Sequence, residues 1–257
     1  SCGGTNIRQF GMGTESLEST VLKEFPTARV LRWDADTARY RGAHDLILDH
    51  FTQHRADILI GTQMITKGHD FPSITVVGVI SADTSLNMPD FRAAEKTFQL
   101  ITQVAGRGGR GNSPGRVIIQ TFNPGHYTLK HAQTHDYNAF YREEIEYRKA
   151  LRYPPFGRII NLRFSSLKKE ILVEEAKRLG KIARKIAEKV SRHVEIVGPA
   201  ESPLAKIRGR HRWQMLIKGR RIGPLRRFVR AVSAAAPALF RHPKVRVVID
   251  VDPFFMS

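Results

Sequence analysis

Two short runs constrain the fold of this chain more than any other feature: Asp57-Ile58-Leu59-Ile60 and Thr75-Val76-Val77-Gly78-Val79-Ile80. Both are short, mostly apolar and rich in β-branched residues, the pattern of a strand buried on both faces. Segments of helical period surround them. Leu17, Val21, Leu22 and Phe25 recur at helical spacing after Gly11 and Gly13, with Thr14 expected as the N-cap. A strand is expected around 28–32, then a helix carrying Ala43, Leu46, Ile47 and Phe51 on one face. A helix over 90–105 and a strand over 116–122 come next. Strands alternating with helices predict a parallel sheet covered on both faces, an α/β domain. Periodicity alone does not choose among the open α/β folds.

The polar-apolar stretch 126–150 predicts a helix leaving this domain. Tyr153-Pro154-Pro155-Phe156-Gly157 then breaks the pattern, because two prolines and a glycine cannot continue a helix. The expected domains are therefore 1–150 and 151–257. The second reads strand (158–165), helix (169–190), strand (194–197), a basic segment with Gly and Pro, strand (213–218), helix (222–235) and strand (245–251). This β-α-β-β-α-β order is that of a ferredoxin-like α+β sandwich.

Charge separates the halves further. Residues 151–257 hold 25 basic and 8 acidic residues, whereas residues 1–150 hold 17 and 16. Between Lys206 and Arg230 there are ten basic residues and no acid. A field this segregated attracts polyphosphate backbones, and acidic peptides for the same reason. No apolar run reaches the roughly 18–20 residues that span a bilayer, so no membrane partner is expected. A basic-then-apolar leader is not expected. The single cysteine, Cys2, excludes an internal disulfide framework and fits a reducing cytoplasm.

Two segments carry candidate chemistry. Gln103-Val104-Ala105-Gly106-Arg107-Gly108-Gly109-Arg110 ends a predicted helix. Its glycines permit tight turns, and its two arginines, three residues apart, can reach one phosphate cluster. A Gly-rich helix end whose arginines offset the helix dipole fits the same residues. Gly61-Thr62-Gln63-Met64-Ile65-Thr66-Lys67-Gly68-His69-Asp70-Phe71-Pro72 directly follows a buried strand. Ligand loops of open α/β sheets emerge at the carboxyl ends of strands, which favours a site here. Thr62 and neighbouring amides can hold a phosphate, and Asp70 a sugar hydroxyl or the arginines. A turn built from Gly61 and Gly68, with Asp70 capping the next segment, is the structural alternative.

Together the two segments resemble motifs V and VI of superfamily 2 helicases. The wording GTQMITKGHDFP, ADTSLNMPDFRAAEKTFQLITQVAGRGGR, YPPFGR and DVDP is similar to the replication-restart helicases, the primosomal protein N′ family, from Cys2 to the C-terminus. The resemblance implies the second, RecA-like motor lobe of a 3′→5′ DNA helicase, followed by a DNA-binding domain similar to a ribosomal S10-type fold. It implies that Arg107 and Arg110 are arginine fingers reaching ATP and Mg2+ held by another lobe, led by Gln103. Gly61, Thr62, Lys67 and Gly68 match the motif that contacts the DNA backbone and couples it to the nucleotide, and Asp70 belongs to it. Gly108 departs from the family pattern, which usually has alanine there. Cys2-Gly3 matches the last ligand of a zinc-binding insertion. One cysteine cannot build a four-ligand Zn2+ site, so Cys2 is expected to be a relic.

In the basic segment, Lys206, Arg208 and Arg212 are candidate contacts to forked and single-stranded DNA. Trp213 offers either base stacking or, sharing a strand face with Met215 and Ile217, a core role; the core role is expected. By resemblance, Arg210 and Gln214 match residues that take the C-terminal tail of single-stranded DNA-binding protein, and other primosome proteins are further implied partners at a nucleoid-associated, cytoplasmic site. Asp250 and Asp252 share a strand face and are expected to form salt bridges. His50/His54 and His131/His135 have metal-ligand spacing but no third ligand at fixed spacing. No G-x-x-x-x-G-K-[ST] loop occurs, so the chain alone is expected to bind DNA without hydrolysing ATP. A motor-dead DNA- and protein-binding scaffold, or another superfamily 2 motor, are the alternatives.

Overall fold

The computed structural model describes residues 13–34, 36–38, 42–62, 65, 74–106, 115–190, 194–254 and 256. They form two compact units, one of residues 1–87 with 93–140, the other of 88–92 with 141–257.

The first unit runs α1 (Thr14–Glu24), β1 (Val30–Trp33), α2 (Ala43–Thr52), β2 (Ile58–Gly61), β3 (Val76–Val79), α3 (Ala82–Leu86), α4 (Ala93–Ala105), β4 (Arg116–Ile119), α5 (Tyr127–Gln133) and the first turn of α6 (Tyr137–Ala150). β1 pairs in parallel with β2, and β3 in parallel with β4. The mixed α/β character is present, but among the described residues the strands make two separate pairs and not one sheet. Four-residue strands give each pair few ladder bonds, and residues 66–73, which link the pairs, lie outside the described residues. The core of this unit lies where α4 turns Phe98 and Ile101 inward. Phe98 stacks on Phe140 with ring centroids 4.3 Å apart, and Ala82, Leu129 and Ala132 close around them.

Several local expectations change: Val76 and Ile80 of the strand expected to be buried are exposed, as are Leu22 of α1 and Phe25 at its C-cap. Gly13, and not Thr14, occupies the N-cap position of α1, and the Thr14 hydroxyl donates to Asp34 Oδ2 at 2.7 Å. A bond to an ionised carboxylate is stronger than a neutral cap, which decides where that hydroxyl points. Leu46 is exposed, because α2 packs along the line of Ala43, Ile47 and Phe51. The single helix expected over 126–150 is two, broken at Thr134-His135-Asp136. There His135 adopts φ 52°, and Asp136 Oδ1 accepts a bond from the Ala139 N–H at 2.8 Å, starting α6 afresh.

The second unit continues with β5 (Arg158–Ser166), α7 (Lys169–Val190), β6 (Glu195–Ile207), β7 (Arg210–Gly219), α8 (Ile222–Ala235), α9 (Pro237–Phe240) and β8 (Arg246–Val251). Its four strands form one antiparallel sheet in the order β6-β7-β5-β8. Ile160, Leu162 and Phe164 alternate onto one face of β5, and Met215 and Ile217 lie opposite on β7. Against that face pack Leu172, Ala176, Leu179 and Ala183 of α7 and Leu225, Phe228, Val229 and Val232 of α8. Period two on the strands and 3.6 on the helices thus meet in one core.

β6 is much longer than the expected 194–197. It continues through Pro199 and Pro203 to Ile207, so the basic segment belongs to a hairpin and is not a loop. Proline is tolerated because β6 is an edge strand, and register shifts between Val197/Ala200 and Glu201/Lys206 absorb the missing donors. Arg208 (φ 48°) and Gly209 (φ 77°) both take left-handed backbone, forming the two-residue turn to β7. Among the described residues no helix is long and apolar enough to cross a membrane.

Candidate functional site

The first candidate region lies at the carboxyl end of β2. Gly61 is its last residue, opposite Trp33 of β1. A Cβ at Gly61 would sit 2.2 Å from the Trp33 carbonyl oxygen and 2.4 Å from Ile65 Cδ1. Only glycine lets the following turn fold down onto β1. That turn closes with the Ile65 N–H donating to the Thr62 carbonyl at 3.1 Å, and Thr62 itself is exposed. Lys67, Gly68 and Asp70 lie outside the described residues.

Gln103 belongs to the last turn of α4. Ile101 and Val104 are buried on that helix, whereas Gln103 is exposed, so packing does not account for its polar amide. The Gly106 N–H donates to the Thr102 carbonyl at 3.0 Å and ends the helix. Arg107 and Arg110 lie beyond it, outside the described residues, as does Cys2. Asp83, in the ADTSLN stretch, is buried and structural: it accepts bonds from Thr121 Oγ1 at 3.1 Å and the Phe122 N–H at 3.0 Å.

In the second unit the sheet has a polar face opposite the helices. Arg210, Arg212 and Gln214 alternate onto it from β7, with Asn161, Arg163 and Ser165 beside them on β5. Arg210 donates to the Ser165 carbonyl at 3.2 Å. Gln214 is buried, and its Oε1 accepts from Asn161 Nδ2 at 3.4 Å. Arg163 pairs with Asp250 at 3.3 Å. Burial pushes the Arg212 guanidinium below its usual range, and neighbouring Arg163 adds to the shift. Its Nη1 has no hydrogen-bond partner among the described residues. A half-buried cation with an unpartnered, inaccessible nitrogen beside a second cation favours an anion in the same place.

The structure therefore regroups the basic segment. Lys206 and Arg208 are exposed at the hairpin tip, whereas Arg212 lies on the strand face with Arg210 and Gln214. Trp213 packs against the core with Met215 and Ile217. Asn161, Arg163 and Ser165 join the face without having stood out as candidates in the sequence. Polar residues at alternate positions of an otherwise apolar β5 are the signal that marks them, since they set a second, non-core face. Asp252 binds Arg158, whose Nε lies 2.9 Å from Asp252 Oδ1, and Asp250 is held by Arg163, so neither carboxylate is set up for a metal.

Among the described residues no group of three or more His, Cys, Asp or Glu is placed to hold a metal ion.

Residues 149–254 match the family model of the primosomal protein N C-terminal domain. The chain is 42% identical over 255 residues to replication restart protein PriA of Bacillus subtilis, covering 99% of this chain and 31% of that protein. It is 44% identical over 253 residues to the PriA of Chlamydia muridarum, covering 98% and 33%. Against the PriA of Haemophilus influenzae the identity is 35% over 256 residues, covering 100% and 34%. The chain thus spans about a third of the length of the curated relatives it matches.

Proposed function

The chain belongs to the replication restart protein PriA family and carries its C-terminal domain, and from that premise we propose that it is the arginine-finger and DNA-holding part of an ATP-dependent 3′→5′ DNA helicase. The first unit is read as a RecA-like second motor lobe, with its two parallel strand pairs belonging to one sheet. The second unit is read as ferredoxin-like, on the strength of its β6-β7-β5-β8 order.

The observation that carries this reading is the similarity of nearly the whole chain to the family, with both helicase-type segments in order. Local geometry supports it. A glycine that tolerates no side chain brings the Thr62 turn to the end of a parallel strand, where strand-end loops bind phosphates. Gln103 is exposed one turn before the two arginines.

In this reading Thr62 and Lys67 hold the DNA backbone, while Gly68 and Asp70 couple that contact to the nucleotide. Arg107 and Arg110 stabilise charge on the transferring phosphoryl group. ATP with Mg2+ supplies the phosphoryl chemistry when bound. The residues present fit only one wall of such a pocket, because the amide-rich loop that cradles phosphates is not in this chain. Lys206 and Arg208 grip DNA phosphates from the hairpin tip. Arg210, Arg212 and Gln214 form an anion-accepting face suited to the acidic tail of single-stranded DNA-binding protein. Other primosome proteins are further partners, and the working location is the cytoplasmic nucleoid.

The test uses the 257-residue chain itself. It is expected to bind fluorescently labelled DNA in anisotropy titrations and to release no phosphate from ATP, with or without DNA. DNA-stimulated hydrolysis by this chain alone would overturn the assignment.

A further inference from the structure

The helical layer of the second unit carries a charge pattern that neither the core nor the hairpin tip uses. Along α7, Lys177, Lys181, Lys185 and Lys189 recur at intervals of four and are all exposed. They lie opposite the buried line of Leu172, Ala176, Leu179 and Ala183. Four such residues cover ~18 Å at the helical rise. On α8, packed beside α7 over the same core, Arg227 and Arg230 are exposed, and the helix contains no acidic residue. None of these six cations has an ion-pair partner among the described residues. The exposed acids of α7 are Glu170 and Glu174 near its start and Glu188 near its end.

Like charges four residues apart destabilise a helix. The lysine row contains three such steps, so its spacing works against the helix that bears it. Basic residues near a helix C-terminus do offset the dipole, but that effect is confined to the last turn. Lys177 and Lys181 lie too early for it. A row of fixed charges on a straight element suits a straight, evenly charged polyanion, and ~18 Å of duplex presents on the order of ten phosphates.

Single strands are held by aromatic stacking as well as charge. The only aromatic residue of α7 and α8 is Phe228, and it is buried. The face therefore offers cations without a stacking platform.

We propose that the outer face of α7 and α8 is a second nucleic-acid surface that takes the sugar-phosphate backbone of duplex DNA, on the far side of the sheet from Arg210, Arg212 and Gln214. This rests on the reading that the chain binds DNA, and it adds a duplex-selective face to the hairpin tip.

The experiment compares Lys177→Ala/Lys181→Ala/Lys185→Ala with a charge-matched control on the first unit, Lys23→Ala/Arg55→Ala/Lys130→Ala. A duplex and a single strand of equal length are titrated at several salt concentrations. The α7 variant is expected to lose about 2–3 units of the duplex salt slope, about 0.9 per phosphate contact, and to keep its single-strand slope. Its melting temperature should not fall, since like-charge repulsion is relieved.

Equal slopes for the α7 variant and the wild type on duplex would overturn the proposal, as would equal loss in the charge-matched control. So would lost binding of a poly-glutamate peptide with duplex binding intact, which would give the face to an acidic protein. A wild-type chain that binds neither nucleic acid would instead overturn the broader DNA reading, and this proposal with it.

Discussion

The two units hold their candidate residues in opposite ways. In the first, they sit where elements end: Thr62 just past β2, and Gln103 on the last turn of α4. Its strands are four residues long, and residues 1–150 are nearly neutral, with 17 basic against 16 acidic residues. In the second, candidate residues lie along the faces of long elements, on a sheet whose core side chains reach 0% exposure, such as Leu162, Met215 and Ile217. Residues placed at element ends act on something brought to them, and need a second wall. Residues spread along rigid faces form a binding surface that is complete in itself. Under the proposed function, the first unit would supply half of a chemical site and the second a whole platform.

The largest effect that could break this comparison concerns Arg110. Joined to a lobe that bears a phosphate-binding loop, Arg110→Ala should cut DNA-stimulated hydrolysis by about 10³-fold or more while leaving DNA affinity nearly unchanged. Steady-state phosphate release and anisotropy on the same preparation separate the two. Parallel loss of both would make the residue structural, and the half-site reading would fail.

Two glycines sharpen the contrast at the next level. At Gly61 a Cβ meets the Trp33 carbonyl oxygen at 2.2 Å, so Gly61→Ala must push β1 from β2, an overpacking cost of about 1–3 kcal/mol. At Gly209 nothing lies within 4 Å, and φ +77° alone opposes a side chain. Gly209→Ala should cost about 1–2 kcal/mol through left-handed backbone. Thermal unfolding of both variants, with tryptophan emission of Trp33 as the first unit's probe, measures each. A neutral Gly61→Ala would mean the turn is not held against β1.

How much of the fold is legible in the sequence depends on which interactions define each element. α7 and α8 are expected over 169–190 and 222–235 and are found at those bounds, because buried leucines and valines at helical spacing leave one answer. Beyond Val197, β6 is hidden, since Gly198, Pro199 and Pro203 read as loop residues. Only the edge position, a tertiary fact, makes them tolerable in a strand. The break between α5 and α6 is written in Asp136, which starts a helix, but apolar periodicity on both sides masks it. The polar face is half legible: Arg210, Arg212 and Gln214 stand out in a basic run, whereas Asn161, Arg163 and Ser165 need the β5–β7 register to join them. Arg107, Arg110, Lys67, Gly68, Asp70 and Cys2 fall outside the described residues, so their roles rest on sequence resemblance.

A smaller effect probes the platform. Lys206→Ala with Arg208→Ala removes two exposed tip charges that make no side-chain hydrogen bond or ion pair among the described residues. If each meets one phosphate, the salt dependence of single-strand binding should flatten by about 1.4 units, at about 0.7 per contact. Anisotropy across a salt series reads this directly, and an unchanged slope would move the DNA away from the hairpin tip.

The smallest expected effect tests whether the first unit has a polar anchor of its own. Asp34 is held at a pKa of about 2, chiefly by the Thr14 hydroxyl, then by backbone N–H groups of Thr37 and Asp36, and by Arg32. A carboxylate depressed in the folded state contributes stability above its unfolded value of about 3.9, and that contribution is lost as pH falls toward the folded value. The first unit should therefore weaken between about pH 4 and pH 2. Thr14→Val should raise the Asp34 pKa and cost about 1 kcal/mol at neutral pH, while narrowing that acid window. Asp57 is also held at about 2, by Arg29, but that pair is exposed and solvent-screened. Arg29→Ala should thus move the Asp57 titration and leave the melting temperature almost unchanged. If Arg29→Ala destabilised the unit more than Thr14→Val, surface pairing and not the buried Asp34 network would hold α1 and β1 together, and the first unit would resemble the charge-bearing second more than its packing indicates.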